Sequence, residues 1–404
     1  MYQSYKFFAG ILLLLSIPVF FSCNKVLEEE PQNKLKPSSA TDYDELLNFG
    51  YPSAKDYGDE HPLDYYVEMM TDDADIRGYN ARTAPYSMEP FSFQPTHEAT
   101  TMLGGRDQAW KWFYQAIYYA NVVIDGVGSS EGETNKKNYI KGEAMLLRAF
   151  AYFKLVNIYA MPYEEATAAT EPGVPLKLDP VVTAESYRRN TVKEVYDQID
   201  KDITDGLKLM EENDIKVTNK FKITIPAANL LASRVALYKK DYAKTISYAS
   251  RVITTNPSVF DLSIYDYNTA KTWGYGGTDR VHYFTPSKSN VLFVFGTNEF
   301  YGLFYYPEVM ALTDDLINTF EEGDIRLYYF SRPGALGRLY YKNRPFPNRL
   351  AEPIHGFRVE EAYLNRAEAY AETGKADLAI KDINYLRRFK FDPDYGATDY
   401  YKYS

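Results

Sequence analysis

Two segments of this chain carry the same helical hairpin, and that pairing restricts its possible folds more than any other feature. In IPAANLLASRVALYKKDYAKTISYASRVITTNP, residues 225–257, apolar residues recur at helical spacing. The small residues Ala232, Ala236 and Ala249 alternate with large ones, and Asn256-Pro257 closes the pair. In VEEAYLNRAEAYAETGKADLAIKDINYLRRF, residues 359–389, Tyr363, Ala367 and Tyr370 precede Gly374 at the turn. Ala379, Ile380 and Ile383 then line the second helix. Each hairpin needs neighbours to cover its apolar face, so the chain must build a packed helical scaffold.

The rest of the sequence supplies those neighbours. Thr41 or Asp42 is placed to cap a first helix running through Asn48. AWKWFYQAIYYANVVIDGV sets Trp110, Phe113, Ile117, Ala120 and Ile124 on one face, with at least one of Trp110 and Trp112 expected in the core. NYIKGEAMLLRAFAYFKLVNIYA is apolar on most sides, as in a helix buried within a bundle, and Pro162 stops it. After a proline-rich loop over 162–190, Asn190 or Thr191 starts a helix with Val192, Val195, Ile199, Ile203 and Leu207 on one face. The two hairpins resemble tetratricopeptide units of about 34 residues. They lie roughly a hundred residues apart, which rules out a simple solenoid. The predicted fold class is mainly all-α: tetratricopeptide-like helix pairs with a loop-rich, aromatic insertion at about 258–350 that includes the strand-like VLFVFG.

The lone cysteine bears on location. Cys23 follows an apolar run, Phe7 to Phe21, of about fifteen residues, short of the ~20 that a spanning helix needs. That length fits the core of a secretory signal, and Ser22 supplies a small residue at a cleavage point. Two readings stand. In one, Cys23 is lipidated and becomes the mature N-terminus, with residues 1–22 as signal peptide and 23–40 as a lipidated tether. In the other, an ordinary signal is removed near a chance cysteine. Residues 41–404 then form a single domain. With one cysteine there is no internal disulfide, and a domain of this size does not need one.

Charge excludes one class of partner. Lys and Arg total 45 against 55 Asp and Glu, a net charge of −10, and no Lys/Arg-rich run offers a face for nucleic acid. Aromatic residues make up 16%, including 39 tyrosines. Such rings serve both helix packing and stacking on sugars, so the count alone decides nothing.

Motifs for catalysis and metal binding fail on context. GSSEG, residues 128–132, matches the G-x-S-x-G elbow, but a helix precedes it where a strand is required. Asp72, Asp73 and Asp75 suggest oxygen ligands for calcium, yet Arg77 and Ala84 occupy positions where an EF-hand needs ligands. A cap or solvated turn is the simpler role. His61, His97, His282 and His355 show no metal-helix spacing. No catalytic residue, metal site or cofactor is assigned. KTWGYGGTDRVHYF (271–284) and RGYNARTAPY (77–86) instead mix ring faces, glycines and planar donors, as sugar recognition demands. The candidate ligand-binding residues are Trp273, Tyr275, Tyr283, Tyr79, Asn80 and Arg82. The alternative is that these rings pack their own loops.

Taken together, QAIYYANVVID (115–125), GEAMLLRAFAYFKLVNIYAMPY (142–163), TVKEVYDQIDKDI (191–203), AANLLASRVALYKKDYAKTISYASRVI (227–253) and EEAYLNRAEAYAETGKADLAIKDINYLRR (360–388) resemble the SusD/RagB family. The acidic Glu28 to Glu30 after Cys23 resembles a surface-export tag of Bacteroidota lipoproteins. The resemblance implies an outer-membrane, surface-facing lipoprotein that is not an enzyme. It implies oligosaccharide binding, or peptide binding in some members, with delivery to a SusC-like TonB-dependent transporter. A surface hydrolase and a purely protein-binding scaffold are the more distant alternatives. Family members continue past the last helix pair into a further helical segment, whereas this chain ends at DYYKYS. By that comparison a truncated product or a fragment is expected.

Overall fold

Helices carry most of the described chain, as its apolar spacing requires. The computed structural model describes residues 37–51, 72–75, 108–184, 186–213, 215–271, 287–295, 311–333, 339–341 and 355–395. In order these form α1 (Ala40–Leu47), β1 (Ala74–Asp75), α2 (Gln108–Gly126), α3 (Thr134–Tyr159), α4 (Val192–Asn213), α5 (Ile225–Tyr238) and α6 (Tyr242–Thr255). There follow α7 (Tyr267–Lys271), β2 (Val291–Phe295), β3 (Ala311–Leu312), α8 (Asp314–Thr319), α9 (Ile325–Phe330) and β4 (Ser331–Pro333). The last are β5 (Leu339–Tyr341), β6 (His355–Arg358), α10 (Val359–Glu372) and α11 (Ala376–Arg387). Among the described residues, no helix is long and apolar enough to cross a membrane.

The helices pack mainly as antiparallel neighbours. α3 lies between α2 and α4, α5 pairs with α6, and α10 packs on α6 and α11. The α10–α11 turn places Gly374 at φ +72°, where a side chain would be strained. α3 is buried on nearly every side, from Tyr139 to Val156. It ends at Tyr159, just short of Pro162. On α4 the expected stripe of Val192, Val195, Ile199, Ile203 and Leu207 is buried throughout. A capping box begins this helix: Thr191 Oγ1 accepts from the Glu194 amide, and the Glu194 carboxylate accepts from the Thr191 amide.

Two expectations need correction. The cap of α1 is Ser39, not Thr41 or Asp42. Ser39 Oγ accepts from the Asp42 amide at 3.2 Å and the Asp42 carboxylate accepts from the Ser39 amide at 2.9 Å. Thr41 and Asp42 also have an acid three residues on, Asp44 and Glu45, but the reciprocal pair of bonds forms at Ser39 and Asp42. On α2, Phe113, Ile117 and Ala120 are buried, but Trp110 is 37% exposed and Ile124 is half-buried. Ala109 and Val123 take the inward places at the two ends of that stripe. Trp112 is partly buried against the core.

Two small sheets complete the fold. β2 pairs antiparallel with β6, with Phe293 opposite Phe357 and an irregularity between Val291 and Phe293. All five β2 residues are buried, which explains an uninterrupted apolar run. Phe150 of α3 meets Phe293, Phe295 and Phe357 edge-on at 5.8, 5.1 and 5.9 Å between centroids. The second sheet has the order β1-β3-β5-β4, all antiparallel.

Two glycines set the α3–α4 spacing. A Cβ at Gly142 would lie 2.7 Å from the Gly206 carbonyl oxygen, and one at Gly206 would lie 2.8 Å from that of Gly142. Neither oxygen can move without its helix. Alanine improves helix propensity by ~1 kcal/mol, but overpacking of this kind costs about 1–3 kcal/mol. Gly206→Ala is therefore expected to lower the urea midpoint with an unchanged slope. An increased midpoint would contradict the close crossing.

Candidate functional site

The sequence-selected residues Tyr79, Asn80, Arg82, Trp273, Tyr275 and Tyr283, together with Cys23, lie outside the described residues. The described fold gives the anchorage of both candidate stretches. The first leaves from β1. Ala74 and Asp75 pair with Leu312 and Ala311. Thr313 continues the tie, its amide donating to the Asp73 carbonyl at 3.1 Å and its hydroxyl to that of Asp72 at 3.2 Å. The same hydroxyl caps α8 by accepting from the Leu316 amide. Asp72 and Asp73 themselves are exposed, as in a solvated turn.

The second stretch leaves from α7. The Tyr267 amide donates to the Asp392 carboxylate at 2.7 Å, and the Asn268 side chain donates to the Tyr395 hydroxyl at 2.9 Å. The Tyr267 ring sits 5.6 Å from Tyr328 and 4.8 Å from Tyr395, with the Lys271 ammonium 4.2 Å from its centre. α7 packs on α9, and α9 runs directly into β4 of the sheet that holds β1. Both candidate stretches thus depart from one connected set of elements.

A buried polar cluster holds the far side of the second stretch. Asn290 donates to the Glu360 carboxylate at 3.2 Å, and its carbonyl accepts from the Val359 amide at 2.9 Å. Glu360 also accepts from the Phe260 amide at 2.5 Å, while Lys390 donates to the Phe260 carbonyl at 2.5 Å. Burial pulls the Lys390 ammonium down to about 8, with Glu360, 3.6 Å away, opposing that shift. Residues 389–392 then bond to Leu262, Ile325 and Gly323 through the backbone.

Other sequence-selected groups show no chemistry in place. Ser130 donates its hydroxyl to the Val127 carbonyl at 2.7 Å, in a loop after a 3-10 turn, far from elbow geometry. Among the described residues no three His, Cys, Asp or Glu side chains gather to hold a metal. His355 falls in β6; His61, His97 and His282 lie outside the described residues.

One cluster escaped the sequence reading. Tyr51 donates to Glu143 at 2.8 Å and accepts from the Ile223 amide at 3.0 Å. Lys222 bonds Asp44 and stands 3.6 Å from Glu143. A glutamate inside the apolar stretch of α3 was its only sequence signal.

With this geometry defined, comparison identifies the class. A family model, SusD-like, described as "Starch-binding associating with outer membrane", matches residues 25–237, more than half of the chain. The chain belongs to the SusD-like family. A curated relative, SusD-like protein P38 of Formosa agariphila, is 26% identical over 262 residues. That match covers 61% of this chain and 45% of the relative, so it spans less than half of the relative's length. A SusD superfamily protein of Bacteroides thetaiotaomicron superposes with a TM-score of 0.71 at 22% identity, covering 91% of this chain and 83% of that one. A laminarin-binding SusD-like protein has a TM-score of 0.59 at 17% identity, covering 88% and 85%. At such identities the solved structures speak to fold, and they share the helical scaffold of tetratricopeptide-like pairs described above.

The buried carboxyl gives the scaffold a pH signature. Burial pushes Glu143 up to about 7, with Lys222 and Tyr51 opposing the shift. An unfolded glutamate titrates near ~4.3. Between those values the folded chain keeps a proton that the unfolded chain has lost, so stability falls as pH rises through that window. Above about 7 the contribution is level. Glu143→Gln is expected to be less pH-sensitive than the parent between pH 5 and 7.5 in urea unfolding. Equal slopes for the two proteins would rule out a raised Glu143.

Proposed function

We propose that this protein is a lipid-anchored, cell-surface binder of oligosaccharides that passes its ligand to a SusC-like, TonB-dependent outer-membrane transporter. The observation that carries the reading is membership of a family described as starch-binding and associating with the outer membrane. A laminarin-binding protein among the structural relatives agrees with it. Residues 1–22 act as the signal peptide, Cys23 takes the lipid and 23–40 form the tether to the domain. Acyl chains contribute about 0.8 kcal/mol per buried methylene, enough for anchoring when several are attached.

Binding falls to the two aromatic stretches. Trp273, Tyr275 and Tyr283, with Tyr79, Asn80 and Arg82, offer ring faces for the C–H side of a sugar and planar donors for its hydroxyls. Their common anchorage through β1, β3, β5, β4, α9 and α7 lets the two stretches serve one ligand. The role is capture and release, without bond cleavage. A net charge of −10 suits neutral ligands better than strongly anionic ones.

The test is calorimetry of residues 24–404 against panels of oligosaccharides and peptides, with Trp273→Ala alongside and circular dichroism as the folding control. A saccharide is expected to bind, with affinity reduced about tenfold in the variant, near the upper range for one aromatic contact. A folded chain that binds peptides and no saccharide would overturn the reading.

A further inference from the structure

Three aromatic rings stand together on the helical scaffold. In LNFGY, residues 47–51, Leu47, Gly50 and Tyr51 are buried while Phe49 is 64% exposed. The turn is pressed onto α2: a Cβ at Gly50 would lie 3.2 Å from Tyr119 Cβ and 3.4 Å from the Ala116 carbonyl. That approach sets Phe49 beside Tyr119, with centroids 5.9 Å apart and planes inclined by 31°. Tyr118, 42% exposed, lies 5.5 Å from Tyr119 at 71° and forms a side wall. Among the described residues neither the Tyr118 nor the Tyr119 hydroxyl has a hydrogen-bond partner, in contrast to the buried tyrosines.

Single exposed aromatics are ordinary, but a contiguous group fixed by a buried turn marks a binding surface. We infer that Phe49, Tyr118 and Tyr119 form a preorganised platform for a glucan oligosaccharide, in addition to the residues proposed above. Pyranoses with equatorial hydroxyls present flat C–H faces, which Phe49 and Tyr119 accept. The ring hydroxyls and the exposed Asn48 amide meet the sugar's polar rim. The ring spacings are of the order of one sugar unit, so two adjoining residues of a chain fit. This assignment rests on the glycan-binding reading above, which it extends to a second subsite.

Hydroxyl-radical footprinting of the full chain in mild detergent tests it, with maltoheptaose, laminarihexaose and cellohexaose as probes. At least one glucan is expected to slow oxidation of Phe49, Tyr118 and Tyr119 severalfold, and to do so in Trp273→Ala as well. Affinity for that probe should fall about three- to tenfold in Phe49→Ala/Tyr118→Ala and be kept in Phe49→Tyr. Circular dichroism checks that each variant folds. Binding that protects only residues elsewhere would overturn the platform and leave the glycan reading standing. Binding of none of the three would also overturn it as a glucan site, whereas the glycan reading falls only if the wider saccharide panel fails.

Discussion

A helix buried on nearly every side must find a partner for each polar group it buries, and the stretch of α3 from Tyr139 to Val156 imposes that condition on the rest of this protein. Glu143 meets Tyr51, which brings the turn after α1 and the segment before α5 to one point. Arg148 donates twice to Asp202 of α4, at 2.8 and 2.7 Å, and once to Asn121 of α2. Asn121 in turn donates to the carbonyls of Lys177 and Asp179. Tyr152 both donates to the Lys177 carbonyl and accepts from its amide. Three side chains of one helix thereby fix two helices and the proline-rich loop. Removing one partner of a buried ion pair typically costs 3–5 kcal/mol, so such contacts specify arrangement more than they add stability.

The same device recurs with each helix pair. RAFAY, RVALY and RAEAY, at 148–152, 234–238 and 366–370, each place an arginine four residues before a tyrosine. Arg148 holds Asp202, Arg234 holds Glu361 and Arg366 holds Asp382, all through two guanidinium nitrogens. Arg234 also lies 4.3 Å over the Phe357 ring and links the helices to β6. This pattern was present in the sequence, but its meaning depends on acids as far as 127 residues away.

That distance separates what was legible from what was not. Periodicity within α4 declares its buried face, because neighbouring turns share one environment. The cap of α1 was misplaced by two or three residues, since Ser39, Thr41 and Asp42 are all capable and only the reciprocal bond selects among them. Strand β1 has two residues, too few for alternation, and its partner lies more than two hundred positions later. Asn290 and Glu360 are likewise joined only by the fold. For the candidate site, residue type was readable in RGYNARTAPY and KTWGYGGTDRVHYF, whereas their anchorage depended on Thr313 and Asp392, which carry no local signature.

Aromatic abundance illustrates the same limit from the side of chemistry. Tyr51, Tyr114, Tyr152 and Tyr196 each spend the hydroxyl on an internal acceptor: Glu143, the Pro175 carbonyl, the Lys177 carbonyl and Asn157. A buried phenol without such a partner would cost free energy, so the scaffold uses tyrosine where a ring and a tie are needed together. Tyr118 and Tyr119 sit on the same helix as Tyr114, yet their hydroxyls meet no described residue. What distinguishes a ring that builds this fold from one that serves a ligand is therefore the fate of its polar edge, and that depends on which side of α2 faces the bundle.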